Sequence, residues 1–351
     1  MGSKIKVLVI DDSAVIRAIL TEILNEADDI EVVGSAADPI FAKTKITSLQ
    51  PDVITLDVEM PRMDGLTFLD ELMHTDPLPV VMVSSLTQKS CDTTLRALEL
   101  GAVDYVTKPT VDISEGIADL AGEIVRKVRI AAKARIRRQA LPIVPPAIPI
   151  ARPFSALDTR RMATTDKLIA IGASTGGTQA LTEVIMALPA SVPGVVIVQH
   201  MPPLFTKSFA KRLNEMARVT VKEAEHGDRI SRGTVYVAPG GKHMSVSRSG
   251  AMYHIELSDG PAVNFVKPAV DVLFRSVAKY AGKNAVGVIL TGMGEDGARG
   301  LKEMREHGAL TFAQDEASCV VFGMPKKAIE MGAVDRILPL NLVTRNIMDA
   351  V

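Results

Sequence analysis

Short apolar runs alternate with stretches of helical spacing along the first third of the chain. The runs are IKVLVI (5–10), EVVGSA (31–36), DVITL (52–56), VVMVS (80–84) and DYVTK (104–108). Between the first two, Val15, Ile16, Ile19, Leu20, Ile23 and Leu24 recur at helical spacing behind Ser13, a suitable N-cap. Strands that alternate with helices predict a parallel sheet covered on both faces. A basic amphipathic helix, AGEIVRKVRIAAKARIRR, follows. The periodicity then stops. Residues 139–166 carry five prolines and no repeat of either kind, as in a semi-rigid spacer.

A second alternating pattern starts near residue 167. Its strands are LIAIG, GVVIVQH, GTVYVAP, AVGVILTG, ALTFAQ and RILPL. Between them TQALTEVIMALP, LFTKSFAKRLNEMA, AVDVLFRSVAKYAG, GARGLKEMREHG and MPKKAIEMG read as helices. MSVSRSGAMYHIEL (244–257) alternates around Ser249-Gly250 and predicts an inserted hairpin. The expected layout is an α/β unit over 1–125, a basic helix end and Pro-rich linker over 126–166, and a second doubly wound, mostly parallel α/β unit over 167–351.

Composition narrows the function. The chain has 351 residues, 47% of them hydrophobic, which is enough for two cores. A formal net charge of −1, 4% aromatics and no Trp argue against nucleic-acid binding. The basic run near 126–138 reads as a solvated helix end. No apolar run reaches the roughly 20 residues of a membrane span, and MGSKIKVLVIDDS lacks the features of a secretory signal. Cys91 and Cys319 lie far apart and suggest neither a disulfide nor a metal cluster. A cytoplasmic protein without membrane insertion is expected.

Polar residues collect where the strands end. In an open α/β sheet, ligand sites form at the carboxyl ends of the strands. Asp11 and Asp12 end the first run, Asp57 the third, Ser84 the fourth and Lys108 the fifth. Three converging carboxylates favour a hard divalent cation such as Mg²⁺, and the cation with Lys108 can stabilise a phosphoryl group passed to an aspartate. As an ordered set, DDS (11–13), LDVEMPRMDG (56–65), VVMVSS (80–85) and GAVDYVTKP (101–109) resemble a response-regulator receiver domain over about residues 4–125. The resemblance implies a flavodoxin-like, five-stranded parallel sheet with Asp57 as phospho-acceptor and a histidine kinase as phosphodonor. It also implies Mg²⁺ on Asp12, Asp57 and the Glu59 carbonyl, with Asp11 reaching it through water. Lys108 would pair with the phosphoryl oxygens, and Ser84 and Tyr105 would form the switch pair.

In the second unit Ser174 ends LIAIGAS, His200 ends GVVIVQH, and Asp296 follows GVILTGMGED. Serine needs an adjacent base, and a histidine base needs a carboxylate to fix its tautomer. Alternatives stand beside this esterase reading. GASTGG can cradle a phosphate at a helix N-terminus. His226 and His243 are rival bases, and Glu295 is a rival acid. A nucleic-acid-binding output and a nucleotide-binding module are further possibilities. Gly172, Gly176 and Gly177 would let the strand turn sharply into the helix, and the backbone around Met293 can supply an oxyanion donor. IGASTGGTQAL (171–181), VIVQHMPPLFTKSFAKRL (197–213), VYVAPGGKHM (235–244), VILTGMGEDGARGL (288–301) and AQDEASCVVFGMPKKAIEMGAVD (313–335) resemble the chemotaxis protein-glutamate methylesterase (CheB) family. That resemblance implies Ser174 as nucleophile, His200 as base and Asp296 as orienting acid. Thr175 would lie beside the site, and the Met293 N–H would belong to the oxyanion hole. Methylated chemoreceptors would be the substrate, deamidation of receptor glutamines a further activity, and the ester chemistry would use no cofactor.

Overall fold

The computed structural model describes residues 3–60, 63–85, 87–108, 117–136 and 167–351. In the first unit β1 (Ile5–Ile10), β2 (Ile30–Ala36), β3 (Val53–Asp57), β4 (Val80–Ser84) and β5 (Asp104–Thr107) form a sheet of order β2-β1-β3-β4-β5. All its pairings are parallel. Every residue of β3 and β4 is buried, which is why these runs are apolar throughout: helices cover both faces. Alternate residues supply the two layers. Val7, Val9, Val81 and Val83 face one core, and Leu8, Ile10, Val80 and Met82 face the other.

The last helix of this unit runs Ile117–Ala131, so the boundary expected at residue 125 falls inside it. The rest of the basic run and the Pro-rich stretch, 137–166, lie outside the described residues.

The second unit contains β6 (Leu168–Ala173), β7 (Gly194–Gln199), β8 (Thr220–Glu223), β9 (Thr234–Val237), β10 (His243–Ser249), β11 (Met252–Ser258), β12 (Ala285–Ile289), β13 (Leu310–Gln314) and β14 (Arg336–Leu338). Seven of these make one parallel sheet of order β14-β13-β12-β6-β7-β9-β8. The hairpin β10-β11 is a separate antiparallel ribbon. Two elements escape the sequence pattern. One is β8, a four-residue edge strand with one fully buried position. The other is the final helix Leu340–Ala350, which is tied to the helix Gly177–Met186 by Thr344 Oγ1 donating to the Val184 carbonyl at 3.0 Å.

The chain leaves the central strand β6 for β7 on one side and reaches β12 on the other. This is a topological switch point, and it opens a crevice at the carboxyl end of β6.

The two units touch at this crevice. The rings of Tyr105 and Phe205 stack with centroids 4.3 Å apart. Arg212 forms a two-point salt bridge with Glu99, and Gln179 donates to the Leu98 carbonyl. Arg135 pairs with Glu316 at 2.6 Å. One buried apolar cluster runs through the contact and includes Leu98 and Tyr105 on one side and Phe205 and Phe209 on the other.

Candidate active site between the two units

Six buried residues of β6 carry the backbone to Ser174. Its N–H donates to the Thr291 carbonyl at 3.0 Å, and its carbonyl accepts from Gln199 Nε2 at 2.9 Å and from the Gly177 N–H at 2.7 Å. Gly176, at φ +74°, makes the left-handed step into the helix. Gly172 and Gly177 serve packing instead of the turn. A Cβ on Gly172 would lie 2.3 Å from a Val270 methyl, and one on Gly177 would lie 2.1 Å from Gln199 Oε1.

Ser174, His200 and Asp296 stand at the carboxyl ends of β6, β7 and β12, three adjacent strands. Ser174 Oγ lies 3.1 Å from His200 Nδ1, and His200 Nε2 lies 2.8 Å from Asp296 Oδ2. With Nε2–H donating to the carboxylate, Nδ1 is left as the acceptor that faces the serine hydroxyl. Asp296 is 3% exposed. Burial pushes its carboxyl pKa up, but the His200 hydrogen bond and charge, Asn264 and the Val270 N–H outweigh burial and hold it below the ordinary value.

Three groups that hold Asp296 have no sequence signature. Asn264 Nδ2 donates to Oδ1 at 2.8 Å. The Val270 N–H donates to Oδ2 at 2.6 Å and the Asp271 N–H to Oδ1 at 3.2 Å. The last two open the helix Val270–Tyr280, so the carboxylate sits on a positive helix end.

The rival groups lie elsewhere. His243 is buried between the Pro261 carbonyl and the Ala269 N–H, and exposed His226 accepts from the Leu257 N–H. Glu295 faces Arg299 and Lys327.

Met293 follows Gly292, whose own Cβ would meet Ser174 Cβ at 2.7 Å. The Met293 backbone therefore passes close to the serine, and its N–H makes no hydrogen bond among the described residues. Thr175 is turned toward the first unit, and its hydroxyl donates to Asp104 Oδ2 at 2.6 Å. A cavity of about 350 Å³ joins Ser174, His200 and Pro202 to Asp104, Tyr105 and Lys127. The first unit thus forms one wall of the space over the serine.

The second polar cluster lies in the first unit. Carboxylate oxygens of Asp11, Asp12 and Asp57 lie within 4.8 Å of one another. Lys108 Nζ is 2.7 Å from Asp57 Oδ2 and 3.2 Å from Asp11 Oδ2. The Glu59 N–H donates to Asp57 Oδ1 at 3.2 Å. Two of the three acids are buried, so one ammonium faces an excess of negative charge, and a hard cation with oxygen ligands fits this donor set. Burial, aided by Asp11, pushes the Asp57 pKa up to about 6 against the pull of Lys108. The Ser84 hydroxyl accepts from Thr94 Oγ1 at 2.7 Å. The buried Tyr105 hydroxyl has no hydrogen-bond partner among the described residues.

The raised Asp57 pKa has a definite sign. The folded state binds this proton more tightly than the unfolded chain, whose value is near 3.8. The associated stability is therefore present below about pH 4 and is lost as pH rises through 6. In metal-free buffer Asp57→Asn should stabilise the first unit by about 3 kcal/mol at pH 8 and by almost nothing at pH 4. Thermal melts at the two pH values check this; equal stability of both proteins at pH 8 would contradict it.

Comparison with known proteins identifies both units. The family profile described as CheB methylesterase matches residues 169–347, and the response regulator receiver domain profile matches residues 7–119. A protein-glutamate methylesterase/protein-glutamine glutaminase of Geobacter metallireducens is 58% identical over 98% of this chain and 95% of its own length. One from Pectobacterium atrosepticum is 55% identical over 99% and 97%. The solved catalytic domain of the Thermotoga maritima CheB methylesterase aligns with 53% of this chain and 100% of its own, at 40% identity and a TM-score of 0.52. Two matched domains and relatives of this identity along nearly the whole length place the chain in the CheB methylesterase family, with a response-regulator receiver domain ahead of the esterase domain.

Proposed function

We propose that the protein is a phosphorylation-activated protein-glutamate methylesterase that hydrolyses glutamate methyl esters on chemoreceptors and so serves chemotactic adaptation. The observation that carries this reading is the Ser174–His200–Asp296 relay at three adjacent strand ends, roofed by the receiver. As Ser174 Oγ attacks the ester carbonyl, His200 Nδ1 takes its proton and Asp296 stabilises the imidazolium through Nε2. The Met293 N–H, with N–H groups at the helix start after Ser174, supports the oxyanion. His200 returns the proton to the departing methoxide, which leaves as methanol. Water then attacks the acyl-serine as His200 takes its proton, and His200 passes that proton to Ser174 Oγ as glutamate is released. The same attack on a glutamine side chain releases ammonia, so deamidation is a second activity of the same site. None of these steps needs a cofactor.

In the receiver, Asp57 accepts the phosphoryl group from a histidine kinase. Asp11, Asp12, Asp57 and the Glu59 backbone would hold Mg²⁺, which supplies charge neutralisation for that transfer. Lys108 holds the phosphoryl oxygens, and Ser84 and Tyr105 respond to them. Tyr105 stacks on Phe205 and Asp104 holds Thr175, so a shift at this edge loosens the cover over Ser174.

Among the described residues no helix is long and apolar enough to cross a membrane. With a kinase as phosphodonor and receptors as substrate, the proposed place of action is the cytoplasm, on the cytoplasmic part of the receptors. The direct test is methanol release from membranes carrying methylated receptors. Absence of release under phosphorylating conditions would overturn the reading.

A further inference from the structure

Non-glycine residues with positive φ are few among those described: Gln50, Leu204, Asn264 and Phe265. Gln50 caps a helix. The other three lie in loops around the esterase site, where backbone strain tends to collect.

The sharpest case is Val263-Asn264-Phe265-Val266. Val263 and Val266 exchange N–H···O bonds of 3.1 Å in both directions, leaving a two-residue turn with φ 53° at Asn264 and 64° at Phe265. A turn that is left-handed at both central residues favours Asn-Gly. Asn264 fits that preference; a phenylalanine occupies the position suited to glycine. Its ring is fully exposed, at 102%, so no packing among the described residues offsets the strain. The neighbours fix where the ring stands. Asn264 is bonded to Asp296, and Val266 lines the cavity shared with Ser174 and His200.

We infer that Phe265 is a docking residue for the substrate polypeptide, packing its ring against an apolar side chain of the receptor beside the glutamyl ester. The occupant follows from continuity with the site: whatever chain presents its ester to Ser174 passes this rim. The inference rests on the methylesterase reading above. The receiver contacts Thr175 yet leaves the Phe265 ring bare, so the docking point is available before activation.

The test uses the full chain with Mg²⁺ and a small phosphodonor. Phe265→Gly removes the ring and relieves the backbone. The Tm of the esterase domain should hold or rise by about 2–4 °C. The KM for methylated receptor membranes should rise about tenfold, the size expected for loss of one exposed aromatic anchor. The ratio of kcat/KM on receptor to kcat/KM on p-nitrophenyl acetate should fall by the same factor, and Phe265→Tyr should restore it. An unchanged ratio in Phe265→Gly overturns the proposal, as does a loss that Phe265→Tyr fails to restore. Failure of the parent reading looks different, since the unaltered protein would then release no methanol at all.

Discussion

Ser174→Ala is expected to cut methanol release by at least about 10⁴-fold, because removing the nucleophile of a serine–histidine–carboxylate relay leaves only binding and oxyanion support. The geometry offers no substitute. The neighbouring hydroxyl, Thr175 Oγ1, is donated to Asp104. His200 Nδ1, which would accept the proton, faces Ser174 at 3.1 Å. The exchange removes one oxygen at a site whose backbone is held by Thr291, Gln199 and Gly177, so the fold should be unaffected. Phosphorylation at Asp57 belongs to the other domain and should proceed normally. Rates on methylated receptor membranes, with phosphoryl incorporation as the control, test this. Full activity in the variant would remove Ser174 from the mechanism.

The second large effect concerns the receiver. The isolated esterase half, from about residue 160 to 351, should release methanol about 10 to 100 times faster than the unphosphorylated full chain. That corresponds to a coupling of about 1–3 kcal/mol between the domains. A coupling of this size is within reach of the observed contacts: one stacked aromatic pair, one two-point salt bridge and the hydrogen bond beside the serine. This half has its own seven-stranded sheet and a buried apolar cluster drawn only from its own residues, which makes the truncation practicable. An isolated half no faster than the intact resting chain would refute inhibition by the receiver.

Much of this was legible in the sequence, for identifiable reasons. Continuous apolar runs such as VITL and LIAIG are what parallel strands need when helices cover both faces. Polar residues that end such runs collect at one edge of the sheet, so Ser174, His200 and Asp296 could be grouped before any coordinates. Other features left no local trace. That β12 lies beside β6 is a long-range pairing. The Asn264 side-chain amide and the N–H groups of Val270 and Asp271 hold Asp296 because the fold brings them there, which the local sequence does not encode. The strand β8 is too short and too exposed to show alternation. Three glycines in one motif suggested one role, yet Gly176 turns the chain while Gly172 and Gly177 make room for Val270 and Gln199. The Thr175–Asp104 bond joins residues far apart in sequence across two domains, and neither residue advertises the other.

In the proposed mechanism Ser174 is assembled for catalysis but covered until Asp57 carries a phosphoryl group. The initial rate of methanol release by the full chain, on methylated receptor membranes with Mg²⁺, before and after addition of a small phosphodonor, tests it most directly. The expected result is a rise of at least about tenfold, absent in Asp57→Asn. A rate that does not change on phosphorylation, or that rises equally in Asp57→Asn, would contradict the account.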